Sequence, residues 1–232
     1  MADTFNRMYA AQRHVTVGKT WVADVVRTHR YEIAELRRHY KRRVPPQQRI
    51  NTTWGLDFTG KADTVKTVYP IFGVLDHGSR MALCLQPLAN RTAVTTLKAL
   101  LAVIETYGTP RIVRTDNDAV FTSRLFRFGL RWLGIRHRLS APGSPWQNGR
   151  IERLFGTLKE KLNHLAVLDL NDLDRAIGQF RFWYNAVRPH QHLYGWTPLN
   201  AWQGQDPYGK APKSAQRFDA WEGLLTGVYL RW

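Results

Sequence analysis

Three acidic residues have the types and spacing for metal-assisted chemistry on phosphate. Glu152 lies in the stretch APGSPWQNGRIERLFGTLKEKLNH, residues 141–164. It sits one residue off an apolar stripe of Ile151, Leu154, Phe155, Leu158 and Leu162, with Gly156 and Lys159 on its own face. A carboxylate at a core edge, beside a small residue and a cation, suits a metal or phosphate site. A lone Glu at such a position is ordinarily just solvated, so the upstream residues decide. Asp57 lies in NTTWGLDFTG and Asp116 in RIVRTDNDAV, and 35 residues separate Asp116 from Glu152. Carboxylates are hard oxygen donors of the kind that hold Mg²⁺ or Mn²⁺.

The elements that must position these groups follow from periodicity. Around Asp57 the residues alternate. Trp54, Leu56 and Phe58 point one way and Thr53, Gly55, Asp57 and Thr59 the other, which predicts a half-buried strand. Ile112 and Val113 start a short strand that ends at Asp116. Ser144, Pro145 and Gln147 form a capping box with Pro at the first helical position, predicting a helix that carries Glu152. Residues 65–76 and 80–86 read as two further strands joined by the turn His77-Gly78-Ser79, giving an antiparallel meander with the Asp57 strand. Asp76 abuts that turn and is expected to bond nearby backbone N–H groups rather than do chemistry. A helix over 92–107 is expected to turn Val94, Leu97, Leu101 and Ile104 inward and to stop at Gly108. Strand, helix and strand in that order imply a parallel crossover that sets the Asp116 strand beside the Asp57 strand. An Arg-rich helix over 123–133 and a last strand over 134–140 complete the core.

Downstream, Asn171-Asp172 are expected to cap a helix running to about Ala186, with Leu173, Ile177, Phe180, Trp183 and Tyr184 on one packed face. Arg188-Pro189-His190 ends it, and Gly195 to Pro198 opens a short helix through Trp202. Residues 204–232 fit a hairpin or an appended helix. Upstream, residues 19–43 read as one long helix closed by the basic run RRHYKRR, either a phosphate-contacting surface or a solvated linker. Pro45-Pro46 then mark a boundary.

These pieces resemble the D,D,35,E transposases and integrases, which include bacterial insertion-sequence transposases with a core similar to retroviral integrase. The matching residues are W-x-x-D-F-T around Asp57, T-D-N at Asp116, S-P-x-x-N-G-x-x-E-R at 144–153, and Y-N-x-x-R-P-H-x-x-L with T-P-x-x-x-W at 184–202. The resemblance implies an α/β fold of ribonuclease H-like type: a mixed five-stranded sheet flanked by helices, preceded here by the N-terminal basic helix. It implies a basic helical extension and linker over 1–46, a catalytic core with C-terminal helices over 47–203, and a C-terminal extension over 204–232. It further implies metal-dependent DNA cleavage and strand transfer with two Mg²⁺ (or Mn²⁺) ions. By this resemblance Asp57 would bridge both ions, Asp116 would bind one and Glu152 the other. Asn148 belongs to the turn onto the Glu152 helix, and Arg150, Arg153 and Lys159 are expected to contact DNA with it. The family often has Gly where this chain has Asp118, a second carboxylate that either disturbs the site or faces solvent.

Bulk composition agrees with a nucleic-acid partner. A net charge of +16 over 232 residues calls for a polyanion, and the absence of a long apolar run or signal peptide argues against a membrane one. Nine Trp and ten Phe oppose a disordered chain. The single cysteine, Cys84, sits in strand-like sequence and is expected to be buried. One Cys excludes an internal disulfide and a His/Cys zinc module within this chain. A bacterial cytoplasmic, nucleoid-associated setting and a homo-oligomer able to join two DNA ends are the corresponding expectations. A single helix before Pro45 is too little for a DNA-recognition module. That leaves open a second reading-frame product, a fragment, or a protein working with a separate helix-turn-helix partner. Two rival functions are a nuclease on the same core and a non-catalytic, domesticated DNA-binding protein.

Overall fold

The computed structural model describes residues 2–41, 48–141 and 148–232. Two compact units divide at Pro46/Gln47. In the first, three helices form: α1 (Ala2–Arg13), α2 (Lys19–Thr28) and α3 (Arg30–Lys41). The Asn6 side chain exchanges two hydrogen bonds with the Val17 backbone, at 3.0 and 2.8 Å, fastening the end of the α1–α2 link to α1. The single helix expected from residue 19 onward is therefore corrected to two. At His29 the backbone leaves helical geometry (φ −101°, ψ 24°), and the imidazole Nδ1 lies 2.9 Å from the Glu32 carboxylate in the first turn of α3. A one-residue joint is shorter than the roughly three- or four-residue turn of a helix-turn-helix. No residue of α2 is buried and Leu36 is exposed, so the apolar stripe is only partly covered. The Pro45-Pro46 boundary and the end of the basic run lie outside the described residues.

The second unit is built on β1 (Thr53–Ala62), β2 (Val68–Asp76), β3 (Ala82–Pro87), β4 (Ile112–Thr115) and β5 (Arg136–Leu139). Their order is β3-β2-β1-β4-β5. The first three strands are antiparallel neighbours, and β4 and β5 run parallel to β1. This is the expected mixed sheet. Asp76 ends β2 fully buried as a turn carboxylate, accepting from Ser79 N and Oγ (2.7 and 2.8 Å) and from Asn51 N (3.0 Å). Cys84 is buried, and burial pushes its thiol up to about 11.

The alternation along β1 separates two cores. Trp54 and Leu56 pack with Phe72 and Val74 of β2 beneath α4 (Ala93–Tyr107), α5 (Ala119–Thr122) and α6 (Arg124–Trp132). The α4 register differs from expectation: Thr96, Leu100 and Val103 are its buried residues, while Val94 and Leu101 are exposed. On the opposite face, Ile71 and Leu75 pack under α7 (Gly149–Leu162) and α8 (Leu170–Phe182). All five stripe residues of α7 are buried. The α8 N-cap is Asp169, whose side chain accepts from Asp172 N, not the Asn171-Asp172 pair expected. The last turn of that helix widens into a π-helix over Trp183–Val187, where Asn185 turns inward to bond both Ala82 N and O (2.9 and 3.0 Å) on β3. Pro198–Gln203 forms α9, capped by Thr197. Of the two forms open for the C-terminal stretch, a hairpin is adopted, β6 (Ser214–Ala220) with β7 (Leu225–Arg231). Among the described residues no helix is long and apolar enough to cross a membrane.

Candidate active site

The sheet brings Asp57 and Asp116 together through its register. Thr53 pairs with Ile112 and Gly55 with Arg114. The same offset carried two residues further points Asp116, just past the ladder, towards Asp57, whose carboxyl feels its charge. Asp116 follows the last residue of β4 and is freed from the ladder. Its Oδ1 accepts from Asp118 N at 3.1 Å, and Asn117 Nδ2 donates to Ser140 O at 2.9 Å, tying this loop to the end of β5.

Helix α7 crosses the face of the sheet from which Asp57 points. It comes close because two strand positions lack side chains. A Cβ on Gly73, the cross-strand partner of Asp57, stands 2.6 Å from the Phe155 ring. A Cβ on Gly55 meets His77 Nε2 at 2.7 Å and Asn148 Oδ1 at 3.4 Å. Asn148 precedes the helix, 2% exposed, and donates from Nδ2 to Leu56 O at 3.3 Å. It braces β1 against α7 from an internal position. Ser144, Pro145 and Gln147, expected to cap the helix, lie outside the described residues. Glu152 sits in the first turn of α7, exposed at the margin of the buried stripe.

The electrostatics link the three carboxylates. Asp57 is half-buried, and its pKa is pushed up to about 7. Burial is the largest cause, and the charges of Asp116 and Glu152 raise it further. The Phe58 N–H, bonded to Asp57 Oδ1 at 2.7 Å, and the Arg91 guanidinium act the other way. Among the described residues no group of three His, Cys, Asp or Glu side chains is gathered tightly enough to hold an ion. The carboxylates thus feel one another's charge without forming a closed coordination shell. Glu152 is the exposed member of the three.

Arg91 is a residue that sequence reasoning missed, because nothing in NRTAV marks it. Its guanidinium lies 4.7 Å above the Phe58 ring and pairs with the Asp118 carboxylate. Asp118 also caps α5 by accepting from Val120 N at 2.9 Å. The extra carboxylate is thereby engaged as a helix cap and ion pair, while its backbone N–H bonds Asp116 Oδ1. Arg150 Nη1 donates to His77 O at 3.0 Å, and burial with nearby Arg80 lowers its pKa to about 10. Arg80 Nη1 shares the same carbonyl at 2.8 Å. Arg153 Nη1 lies 2.7 Å from His192 Nε2. Lys159 is exposed on the Glu152 face. The Arg-Pro-His segment is packing: Arg188 lies over the Trp183 and Tyr184 rings, and His190 meets Tyr184 edge-on at 4.6 Å.

Comparison with known proteins agrees with this fold. Two family profiles, both described as integrase core domain, match residues 47–145 and 133–198. The uncharacterized 39.2 kDa protein of insertion element IS476 from Xanthomonas euvesicatoria is 33% identical over 171 residues, covering 69% of this chain and 49% of that protein. The Gag-Pro-Pol polyprotein of Mason-Pfizer monkey virus is 26% identical over 182 residues, covering 68% of this chain and 10% of the polyprotein. The chain thus spans about half the length of the first relative and a tenth of the second. The HTLV-2 integrase catalytic core domain, solved in complex with magnesium in a dimeric form, superposes with a TM-score of 0.53 at 24% identity. It covers 66% of this chain and 97% of that domain. A simian T-cell lymphotropic virus intasome chain gives 0.58 at 22% identity, covering 75% and 64%. With a mixed five-stranded sheet and a helix packed across β1 and β2, the chain belongs, through residues 47–198, to the integrase core domain family shared by insertion elements and retroviruses.

Proposed function

We propose that this protein is a DDE-type transposase, a polynucleotidyl transferase that cuts DNA and joins the freed 3′-hydroxyl to a second strand. One observation carries the reading: in a sheet ordered β3-β2-β1-β4-β5, Asp57 on β1, Asp116 just past β4 and Glu152 in the first turn of α7 lie near enough for the charges of the latter two to act on the first. A carboxyl cluster so arranged is relieved by a cation. The donor set is all oxygen and hard, which fits Mg²⁺ or Mn²⁺. Asp57, Asp116 and Glu152 are the residues to hold such ions. Bound there, divalent ions neutralise charge on the attacking and leaving oxygens of an in-line displacement at phosphorus. The chain's own part would be to orient: β1 and the end of β4 would present Asp57 and Asp116, α7 would present Glu152, and the Asn148 bond to Leu56 O ties the helix entrance to β1. Arg153 and Lys159, exposed beside Glu152, suit contacts to the DNA backbone, and Arg150 borders them.

The substrate is DNA, as the +16 charge favours, and joining two element ends calls for a homo-oligomer. The insertion-element relative supports work in a bacterial cytoplasm. A separate helix-turn-helix protein that recognises the element ends is compatible with α1–α3. We read residues 1–46 as an accessory domain and 47–203 as the catalytic one, with 204–232 appended to it.

The test is conversion of supercoiled plasmid with Mg²⁺ or Mn²⁺, comparing the natural chain with Glu152→Gln. Nicked or joined products are expected from the natural chain, with a loss of at least about a hundredfold in the variant. Equal product from both refutes a catalytic Glu152. Junction sequencing separates strand transfer from simple nicking.

A further inference from the structure

Helix α6 has two faces of opposite character. Phe126 and Leu130 are buried in the core, and Gly129 lies against Leu97. The outward face carries Arg124, Arg127, Phe128, Arg131 and Trp132, at i, i+3, i+4, i+7 and i+8. All five are exposed, Phe128 at 67% and Trp132 at 79%. Arg136, at the start of edge strand β5, lines the same groove. None of these arginines pairs with a described carboxylate. The catalytic reading makes no use of this face.

We propose that the outer face of α6 is a second DNA-contacting surface, one that takes an unpaired strand, with the arginines on phosphates and Phe128 and Trp132 stacking on bases. Charge selects the occupant. Four arginines without acidic partners attract a polyanion, whereas a second copy of this face brings like charges together. Rings interleaved with arginines at one-turn spacing match the backbone-plus-stacking chemistry of single-strand recognition. The chain runs from the Asp116 loop into α5 and α6 and back along β5, so the ladder of arginines starts beside the catalytic end of the sheet at Arg124. It leads away from that end towards Arg131. The surface goes beyond the proposed strand transfer, because binding there needs no metal and no chemistry.

The experiment measures anisotropy of labelled single-stranded and duplex DNA with the full chain in EDTA across a salt series. Arg124→Gln, Arg127→Gln and Arg131→Gln are combined. A control combines Arg175→Gln, Arg217→Gln and Arg231→Gln, which are exposed elsewhere on the same unit. Each lost phosphate contact lowers the salt slope by about 0.7 for a single strand, so the α6 variant is expected to lose about 2 in slope and the control less than about 0.5. Phe128→Ser with Trp132→Ser is expected to weaken single-strand binding about tenfold and duplex binding little. Photo-cross-linking of the unaltered chain to 5-iodouracil DNA, expected on the peptide carrying Phe128 and Trp132, gives a readout that needs no variant. Equal slopes for the α6 and control variants, or cross-links confined to other peptides, overturn the proposal. So does a dimer that the α6 substitutions dissociate while DNA binding is unchanged. Failure of plasmid joining alone leaves these binding results standing, so the two readings are judged separately.

Discussion

A carboxyl that is half-buried and faces two other carboxylates keeps its proton, and Asp57 does so up to about pH 7 against an ordinary value of 3.8. Between these values the folded chain binds more protons at this site than the unfolded one. Stability therefore falls as pH rises across that window, and the site weighs against folding above it. His77 pulls the other way: burial and nearby arginines lower it from 6.5 to about 3, so its contribution is lost as pH falls below 6.5. Comparing Asp57→Asn with the natural chain cancels the histidine. Without metal, the variant is expected to be more stable at pH 8 by roughly 2–4 kcal/mol and little different at pH 4. Urea unfolding at the two pH values measures this. An equal difference at both places the cause in packing rather than charge. Added Mg²⁺ is expected to stabilise the natural chain at pH 8 and to leave Asp57→Asn nearly unchanged, because a bound cation relieves the repulsion that only the natural residue creates.

Between α7 and the sheet, a missing side chain sets the distance. Gly73 occupies ordinary strand backbone, so Gly73→Ala meets no conformational barrier and its effect is spatial: the new methyl collides with the Phe155 ring. Overpacking of this kind costs about 1–3 kcal/mol. It is also expected to lower plasmid conversion, because the helix it displaces carries Glu152. Phe155→Leu in the same chain is expected to recover part of both, read by urea midpoint and by product yield. Recovery of stability without activity separates packing from positioning. The Glu152 stripe, the β1 alternation and the 35-residue spacing were all legible in the sequence, because each is a local pattern with one dominant period. The phase of α4 was not. Ala93, Val94, Leu97, Leu100, Leu101, Val103 and Ile104 are apolar nearly all round the helix, so periodicity alone does not choose the inward side. The break at His29 and the π-turn at Asn185 were equally hidden. The former rests on a local polar pair and the latter on a bond to a strand about a hundred residues away. Arg91 was invisible for the same reason: its partners Phe58 and Asp118 meet it only once the sheet is assembled.

At the scale of the catalytic unit, the carboxylates depend on a core that the C-terminal hairpin closes. Strands β6 and β7 lie against the end of α8 and the π-turn, not free of the unit. Trp221 stacks on Phe180 at 6.2 Å and donates to Gln179 Oε1, while Trp183 Nε1 donates to Thr226 O at 2.9 Å. Phe182 meets Phe218 and Tyr229, and Leu225 is fully buried. The same cluster continues through Phe180 and Ile177 to Leu154, Phe155 and Leu158 of α7. Removing the hairpin uncovers that cluster from one side and loosens the helix bearing Glu152, about seventy residues earlier in the chain. Leu225→Ala is expected to cost about 2–5 kcal/mol, the range for emptying a buried leucine site. Ending the chain after Gly204 is expected to remove the cooperative thermal transition of this unit and to abolish plasmid conversion. A milder substitution keeps the test sharp. Trp221→Phe retains a stacking ring and removes the bond to Gln179, so it is expected to lose about 1 kcal/mol with activity nearly intact. If the truncated chain instead melts as the natural one does, the hairpin is an appendage and α7 is held by α8 and the sheet alone.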